Sequence, residues 1–416
     1  MTPKRDVRLA LAGCGVVGGG LVRLLHDARD EIASRFDVSF SVASVLVRNP
    51  TRDRHVPVPD SLFTSDLDAF LRTDADVVVE AIGGEEPAET IAAAALRGGR
   101  KFITANKELI AGAGDRLCHL ARETGTSLDF GAAVGASAPV ISTLRDLLGA
   151  SPPRSVRGIL NGTSNFVITE LERGVDIDRA IAAARERGLA EADCSRDLDG
   201  RDAAAKLAIS AWIAFGIAPS TLRIRRTSLL PGLADLAQAA IGLGGRLRLL
   251  AECIQLDENR VAASVEPTVV SASSGFARSL GEENRIEIDQ GWTAPLSVSG
   301  PGAGAEPTAS ALLSDLLRTS PPPNARGGGG RIFLSASDGR PHRWLLLTRN
   351  GSGLVQRAVA HGVTVERSWA DTNGVGALTS RVEWSRVEAL TESLRGSNAS
   401  VAIARVELPD REVQVQ

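Results

Sequence analysis

The apolar positions in the first 130 residues fall into short continuous runs: VRLALA, VSFSVASVLV, DVVVEAI and KFITA. Segments with apolar residues at helical spacing lie between them, LVRLLHDA and KELIAGAGDRLCHLARETG among them. Strands of nearly unbroken Val and Ile alternating with helices predict a parallel sheet covered on both faces. After Pro139 the pattern changes. ISTLRDLLG and DIDRAIAAARERG predict helices, the second amphipathic and ending at Gly188, while RVAASVEPTVVS and RIEID predict strands of an antiparallel or mixed sheet. SGPGAGAEPTASALLSDLLRTS returns to a glycine turn followed by a helix. TSPPPNARGGGGR has a linker's composition, and RWLLLTR, VTVERSW, WSRVEALTESL and VAIARVELP beyond it predict a small β-α-β module.

Between the first strand and the first helix, Gly13, Gly15 and Gly18 spell G-x-G-x-x-G. In that setting the glycines let the backbone approach a pyrophosphate seated on the helix N-terminus; a glycine turn with no ligand is the plainer alternative. An NAD-selective site carries Asp or Glu at the end of the second strand. Here that strand ends in Arg48-Asn49, with Arg52 and Arg54 following, so a 2′-phosphate can be received and NADP(H) is favoured over NAD(H). The chain is therefore expected to be α/β, with a Rossmann-type dinucleotide-binding domain over 1–130 plus 301–318. A second, α+β substrate and dimerisation domain is expected over 131–300, a linker over 319–331 and the small C-terminal module over 332–416.

Two lysines stand out. Lys107 follows KFITA at the C-terminal edge of the parallel sheet, where ligands of open α/β sheets bind. Lys206 is the only charged residue from Ala203 to Leu222. A helix apolar on all sides is a buried one, and a buried ammonium needs a partner. Asp202, four residues earlier, shares its helix face. Glu191, Asp193, Asp197 and Asp199 precede that helix and add carboxylates that can hold an amino group.

The bulk numbers exclude several classes. A net charge of −3 over 416 residues gives no field favouring nucleic acid or anionic membrane. No run approaches the roughly 20 apolar residues of a membrane helix. The 4 cysteines lack any CxxC and the 5 histidines are dispersed, so free thiols, a cytoplasmic setting and no metal site are expected.

Taken together the motifs resemble homoserine dehydrogenase. The likeness runs through LAGCGVVGGGL, VVVEAIGG, FITANKELIA, GAAVGASAPVI, GILNGTSNFV, GLAEADCSRDLDGRDAAAKL and GPGAGAEPTASALLSDL, from about residue 7 to 318. It implies reversible NAD(P)H-dependent reduction of L-aspartate 4-semialdehyde to L-homoserine, by hydride transfer with lysine-assisted protonation of the carbonyl oxygen. By motif, Lys107 and Lys206 are its active-site lysines. Glu191, Asp197 and Asp202 hold the substrate amino group and orient Lys206, and Gly162 and Thr163 line the substrate pocket. Gly13, Gly15, Val16, Val17, Gly18, Arg48, Gly302 and Ala303 fall to the cofactor. A homodimer through the second domain's sheet is implied, and the tail resembles a shortened ACT-like regulatory domain.

The chain departs from the family at three places. Gly131 opens GAAVGAS where the family has Glu, which puts the monovalent-cation site built on that Glu in question. Leu189 replaces an aromatic, and Phe166 a tyrosine. These changes leave open a reductase of a related amino-acid semialdehyde on the same scaffold, and a catalytically silent NAD(P)-binding regulatory protein.

Overall fold

In a computed structural model the described residues are 5–148, 152–190, 193–302, 304–318, 333–335, 337–349, 353–371, 374–397 and 399–409. The expected linker at 319–331 lies outside them, as do Glu191 and Ala303. The chain divides into two compact units: Met1–Pro153 with Ala208–Thr221 and Gly300–Gly328, and Arg154–Leu207 with Leu222–Ser299 and Gly329–Gln416. The division places 131–153 with the first unit and the C-terminal segment with the second.

The first unit is built on β1 (Arg5–Ala12), β2 (Val38–Leu46), β3 (Phe63–Thr64), β4 (Val77–Glu80), β5 (Lys101–Thr104) and β6 (Leu128–Asp129). All pair in parallel, in the order β3-β2-β1-β4-β5-β6. Leu9, Ala10, Leu11 and Ala12 point alternately to opposite faces yet all are buried, so both faces of β1 are covered. The helix Ala305–Leu317 packs on Val16–Asp27, where a Cβ on Gly20 would lie 3.3 Å from that of Ala309. The connections turn in opposite directions from β1, so a crevice opens at the C-terminal ends of β1 and β4.

At the far edge of this sheet Asp129 is buried between Lys101 Nζ at 3.2 Å and Arg145 Nη1 at 3.0 Å. Asp315 lies beside it and accepts the Gly131 N–H at 2.8 Å. Burial, then the neighbouring Asp129 charge, pushes the Asp315 carboxyl up to about 6. A Cβ on Gly131 would stand 2.8 Å from the nearer Asp315 oxygen. The carboxylate at this turn thus comes from the helix Ala305–Leu317 in a chain that lacks one at 131.

The second unit carries β7 (Ser155–Ile159), β8 (Arg225–Arg226), β9 (Gly245–Asp257), β10 (Arg260–Ser271), β11 (Glu283–Asp289) and most of β12 (Leu296–Pro301). It continues with β13 (Phe333–Ser335), β14 (Arg343–Arg349), β15 (Val365–Asp371), β16 (Gly374–Thr379) and β17 (Ser400–Glu407). The main order is β12-β11-β7-β9-β10-β17-β14-β16-β15, with β8 and β13 also on β10. The expected C-terminal β-α-β is one half of a β-α-β-β-α-β. Its elements are β14, the helix Leu354–Ala360, β15, β16, the helix Trp384–Gly396 and β17. The order β17-β14-β16-β15 is the split β-α-β arrangement of ferredoxin-like folds.

This module extends the larger sheet, because β17 pairs with β10 in parallel as well as with β14. Arg405 of β17 is 2% exposed and meets Glu252 of β9 at 3.0 Å, Glu266 of β10 at 3.1 Å and Glu407 at 2.9 Å. One buried guanidinium therefore links three strands by charge as well as by backbone.

Candidate active site

The glycine turn lies at the crevice. Gly13 has φ +94°, and a Cβ there would stand 2.6 Å from the Ala81 carbonyl oxygen, so only glycine fits. A Cβ on Gly18 would overlap the Gly13 carbonyl, so this glycine lets helix and strand pack closely. Around Gly15, at the start of the helix Val16–Asp27, there is open space. That is the division of labour a pyrophosphate-binding turn requires: a tight turn, a close packing, and a bare backbone facing the ligand.

Gly13, Cys14, Gly15 and Val16 line a cavity of about 760 Å³ that is also lined by Arg23, Arg48, Arg52, Arg54 and His55. Arg54 is held by the Arg52 and Asn49 carbonyls at 2.6 and 2.7 Å and lies 5.3 Å from the Phe63 ring centre. Burial raises the Cys14 thiol above its ordinary range against the opposing charges of Arg54 and Arg23, so it lines the cavity as a neutral group. Volume, bare turn and basic lining fit a dinucleotide. Val17 and Gly18 lie behind the turn in the helix, and Gly302 is buried near the end of β12. Ala303 is outside the described residues. Lys107 opens the helix Lys107–Glu123, directly after β5 and Asn106.

The second unit holds the other constellation. Lys206 Nζ lies 2.8 Å from Asp202 Oδ2 and donates to the Leu160 carbonyl at 2.9 Å. Their side chains are only 12% and 10% exposed, far from the solvated pair that i,i+4 spacing usually makes. Asn161 Nδ2 donates to Asp202 at 2.8 Å and to Asp197 at 2.7 Å, while its Oδ1 caps the helix Gly162–Glu172 through the Ser164 N–H at 2.7 Å. One amide thereby joins both carboxylates to the lysine and fixes them to a helix start. Sequence reasoning missed Asn161 as a site residue; its signal was an Asn directly before a helix, which predicts a cap.

The other expected residues are placed differently. Asp199 pairs with Arg201 Nε at 2.6 Å, and the exposed Asp193 accepts the Ser195 N–H at 2.9 Å, so neither joins this group. Thr163 spends its hydroxyl on the Leu189 carbonyl at 2.7 Å, fixing the turn where the chain lacks the aromatic. Gly162 is required by packing, since a Cβ would lie 2.8 Å from the Glu282 carbonyl oxygen. The Phe166 ring has the Arg187 guanidinium 4.8 Å from its centre. Glu191 is outside the described residues.

The family model for the homoserine dehydrogenase NAD-binding domain matches residues 13–130, and that for homoserine dehydrogenase matches 139–317. A homoserine dehydrogenase of Mycobacterium leprae is 36% identical over 323 residues, covering 76% of this chain and 72% of that protein. The chain belongs to the homoserine dehydrogenase family. It is an NAD(P)-dependent oxidoreductase acting on a CH–OH group in amino-acid biosynthesis. The crystal structure of a homoserine dehydrogenase from Thiobacillus denitrificans is 28% identical and superposes with a TM-score of 0.84, covering 97% of this chain and 98% of that one. A hyperthermophilic archaeal homoserine dehydrogenase in complex with NADPH shares the fold at 23% identity and a TM-score of 0.60, over 75% of this chain and 97% of that one.

Among the described residues no group of three or more His, Cys, Asp or Glu could hold a metal ion, and no helix is long and apolar enough to cross a membrane.

Proposed function

We propose that Lys206, held by Asp202 and the Leu160 carbonyl, is the acid/base group of this homoserine dehydrogenase. The observation that carries the proposal is the buried ammonium 2.8 Å from one carboxylate and 2.9 Å from a main-chain carbonyl. Neither contact needs a lysine for stability, since an ion pair taken out of water seldom outweighs its desolvation. In the direction of reduction, charge develops on the aldehyde oxygen of L-aspartate 4-semialdehyde. Lys206 gives that oxygen a proton, which becomes the hydroxyl proton of L-homoserine, and Asp202 compensates the ammonium until then. Asp197 receives the substrate ammonium, with Glu191 assigned by motif. Lys107 is assigned by motif as the second active-site lysine. A bound nicotinamide cofactor would supply the hydride, with its pyrophosphate held at the glycine turn by Gly13, Gly15 and Gly18.

The arginines lining the cavity support a preference for NADP(H). Arg48, Arg52 and Arg54 are assigned to a 2′-phosphate, with NAD(H) as the weaker alternative. A homodimer through the second unit's sheet belongs to the same reading, supported by Trp292 and Leu296, which are 78% and 43% exposed near the β12 edge. A cytoplasmic setting is supported by four free thiols. The test is nicotinamide absorbance with L-homoserine and either NADP⁺ or NAD⁺. Turnover with higher kcat/KM for NADP⁺ is expected. NADPH binding with homoserine left untouched would favour a related semialdehyde.

A further inference from the structure

We propose that Glu80 is a positioning residue that sets the cofactor-side turn of the first unit and, through Thr104 and Asn106, the helix start carrying Lys107. This rests on the reading that the first unit binds the dinucleotide and that Lys107 acts in the reaction. Glu80 ends β4 after three buried valines and is itself 0% exposed. Among the described residues it makes no ion pair, and its recorded partners are neutral donors. Oε1 accepts the N–H groups of Ile82 at 2.6 Å and Gly83 at 3.0 Å, and Oε2 accepts the Thr104 hydroxyl at 2.6 Å. A carboxylate buried at this cost needs all of them.

The direction of each bond is fixed. The Thr104 hydroxyl has one proton and spends it on Glu80, so its oxygen is left to accept the Asn106 N–H at 2.9 Å. Asn106 closes the ring: its Nδ2 donates to the Gly84 carbonyl at 2.5 Å, and its Oδ1 caps the Lys107–Glu123 helix through the Leu109 N–H at 3.0 Å. The turn so held contains two successive left-handed residues, Gly83 at φ +83° and Gly84 at φ +78°, a conformation the backbone does not keep unaided. Ala81, Ile82 and Gly83 line the dinucleotide cavity, and the Ala81 carbonyl abuts Gly13. Lys107 is the first residue of the capped helix, where the helix dipole opposes an ammonium. One carboxylate thus braces the cavity wall and the lysine together, which requires a group whose two oxygens both accept.

Glu80→Gln is the discriminating variant, because it keeps the shape but aims an amide NH₂ at a donor. Thr104→Val breaks the same ring one bond later, and Thr104→Ser restores the hydroxyl. In the full-length enzyme, Glu80→Gln and Thr104→Val are expected to lower kcat for homoserine about tenfold or more. The Kd for NADPH, titrated by fluorescence, should rise about threefold to tenfold. The KM for homoserine should stay within about twofold, and Thr104→Ser should recover most of the loss. Wild-type kcat and NADPH affinity in Glu80→Gln and Thr104→Val, even with a lowered Tm, would overturn the proposal by reducing Glu80 to a stability role. If the wild type turns over no homoserine, that failure belongs to the functional reading. The NADPH titration then decides: weakened binding in Glu80→Gln supports the brace and unchanged binding refutes it.

Discussion

Lys206 and Asp202 lie on adjacent turns of one helix with their charges 2.8 Å apart and both side chains nearly out of water. Such a pair is costly to break from one side, since the survivor is left charged and buried. Asp202→Asn is expected to lower stability by about 3 kcal/mol, read as a fall in Tm. It should also cut kcat/KM for homoserine about a hundredfold. A variant with wild-type Tm would show that the ammonium finds another partner or sheds its proton.

Arg48 lines the dinucleotide cavity. Arg48→Ala should raise the KM for NADP⁺ about tenfold or more, the worth of one charge-assisted hydrogen bond, while the KM for NAD⁺ changes little. Steady-state kinetics with both cofactors checks this. Equal losses for the two would assign Arg48 to a part the cofactors share.

Legibility differed by how local each feature is. The parallel strands could be read from VVVE and KFIT because both faces of those strands are buried and nothing polar interrupts them. The fingerprint could be read because each glycine answers a backbone demand, and Lys206 because its surroundings are so apolar. The role of Asn161 was hidden, since it joins Asp197 and Asp202 across 36 and 41 residues of chain. Asp199, one of the carboxylates ahead of the helix, pairs instead with a neighbour two residues away. In the tail, GVGALT passed unnoticed as a strand because glycine disfavours strands. Gly376 is there to admit the Trp369 ring, which a Cβ would overlap. Nor does any local pattern announce that β17 pairs with β10, more than a hundred residues away.

Asp315 makes stability depend on pH. Its folded-state value of about 6 lies above its ordinary 3.8, so the folded protein holds this proton more tightly than the unfolded chain does. The stabilisation is complete below about pH 4 and is lost as pH rises through about 6, amounting to about 3 kcal/mol. Asp315→Asn keeps an acceptor for the Gly131 N–H and removes the titration. Thermal denaturation from pH 4 to 8 should show the variant gaining on the wild type with rising pH. Parallel curves would refute the assignment.

Arg405 meets three carboxylates on three strands at once. Arg405→Ala leaves Glu252, Glu266 and Glu407 facing one another and should cost about 3–5 kcal/mol. Arg405→Lys should rescue little, because a point charge cannot span all three. Chains ending before β17 should be poorly soluble, since they bare the edge of β10. A soluble truncated enzyme with wild-type Tm would contradict this.

Lys206 is proposed to move a proton in the reaction. The most direct test is kcat for homoserine oxidation in Lys206→Ala, alongside NADPH affinity in the same preparation. A fall in kcat of about a hundredfold or more is expected, as loss of an acid/base group requires, with NADPH binding kept by the first unit. A folded Lys206→Ala enzyme that binds NADPH and turns over homoserine within about threefold of the wild type would contradict it.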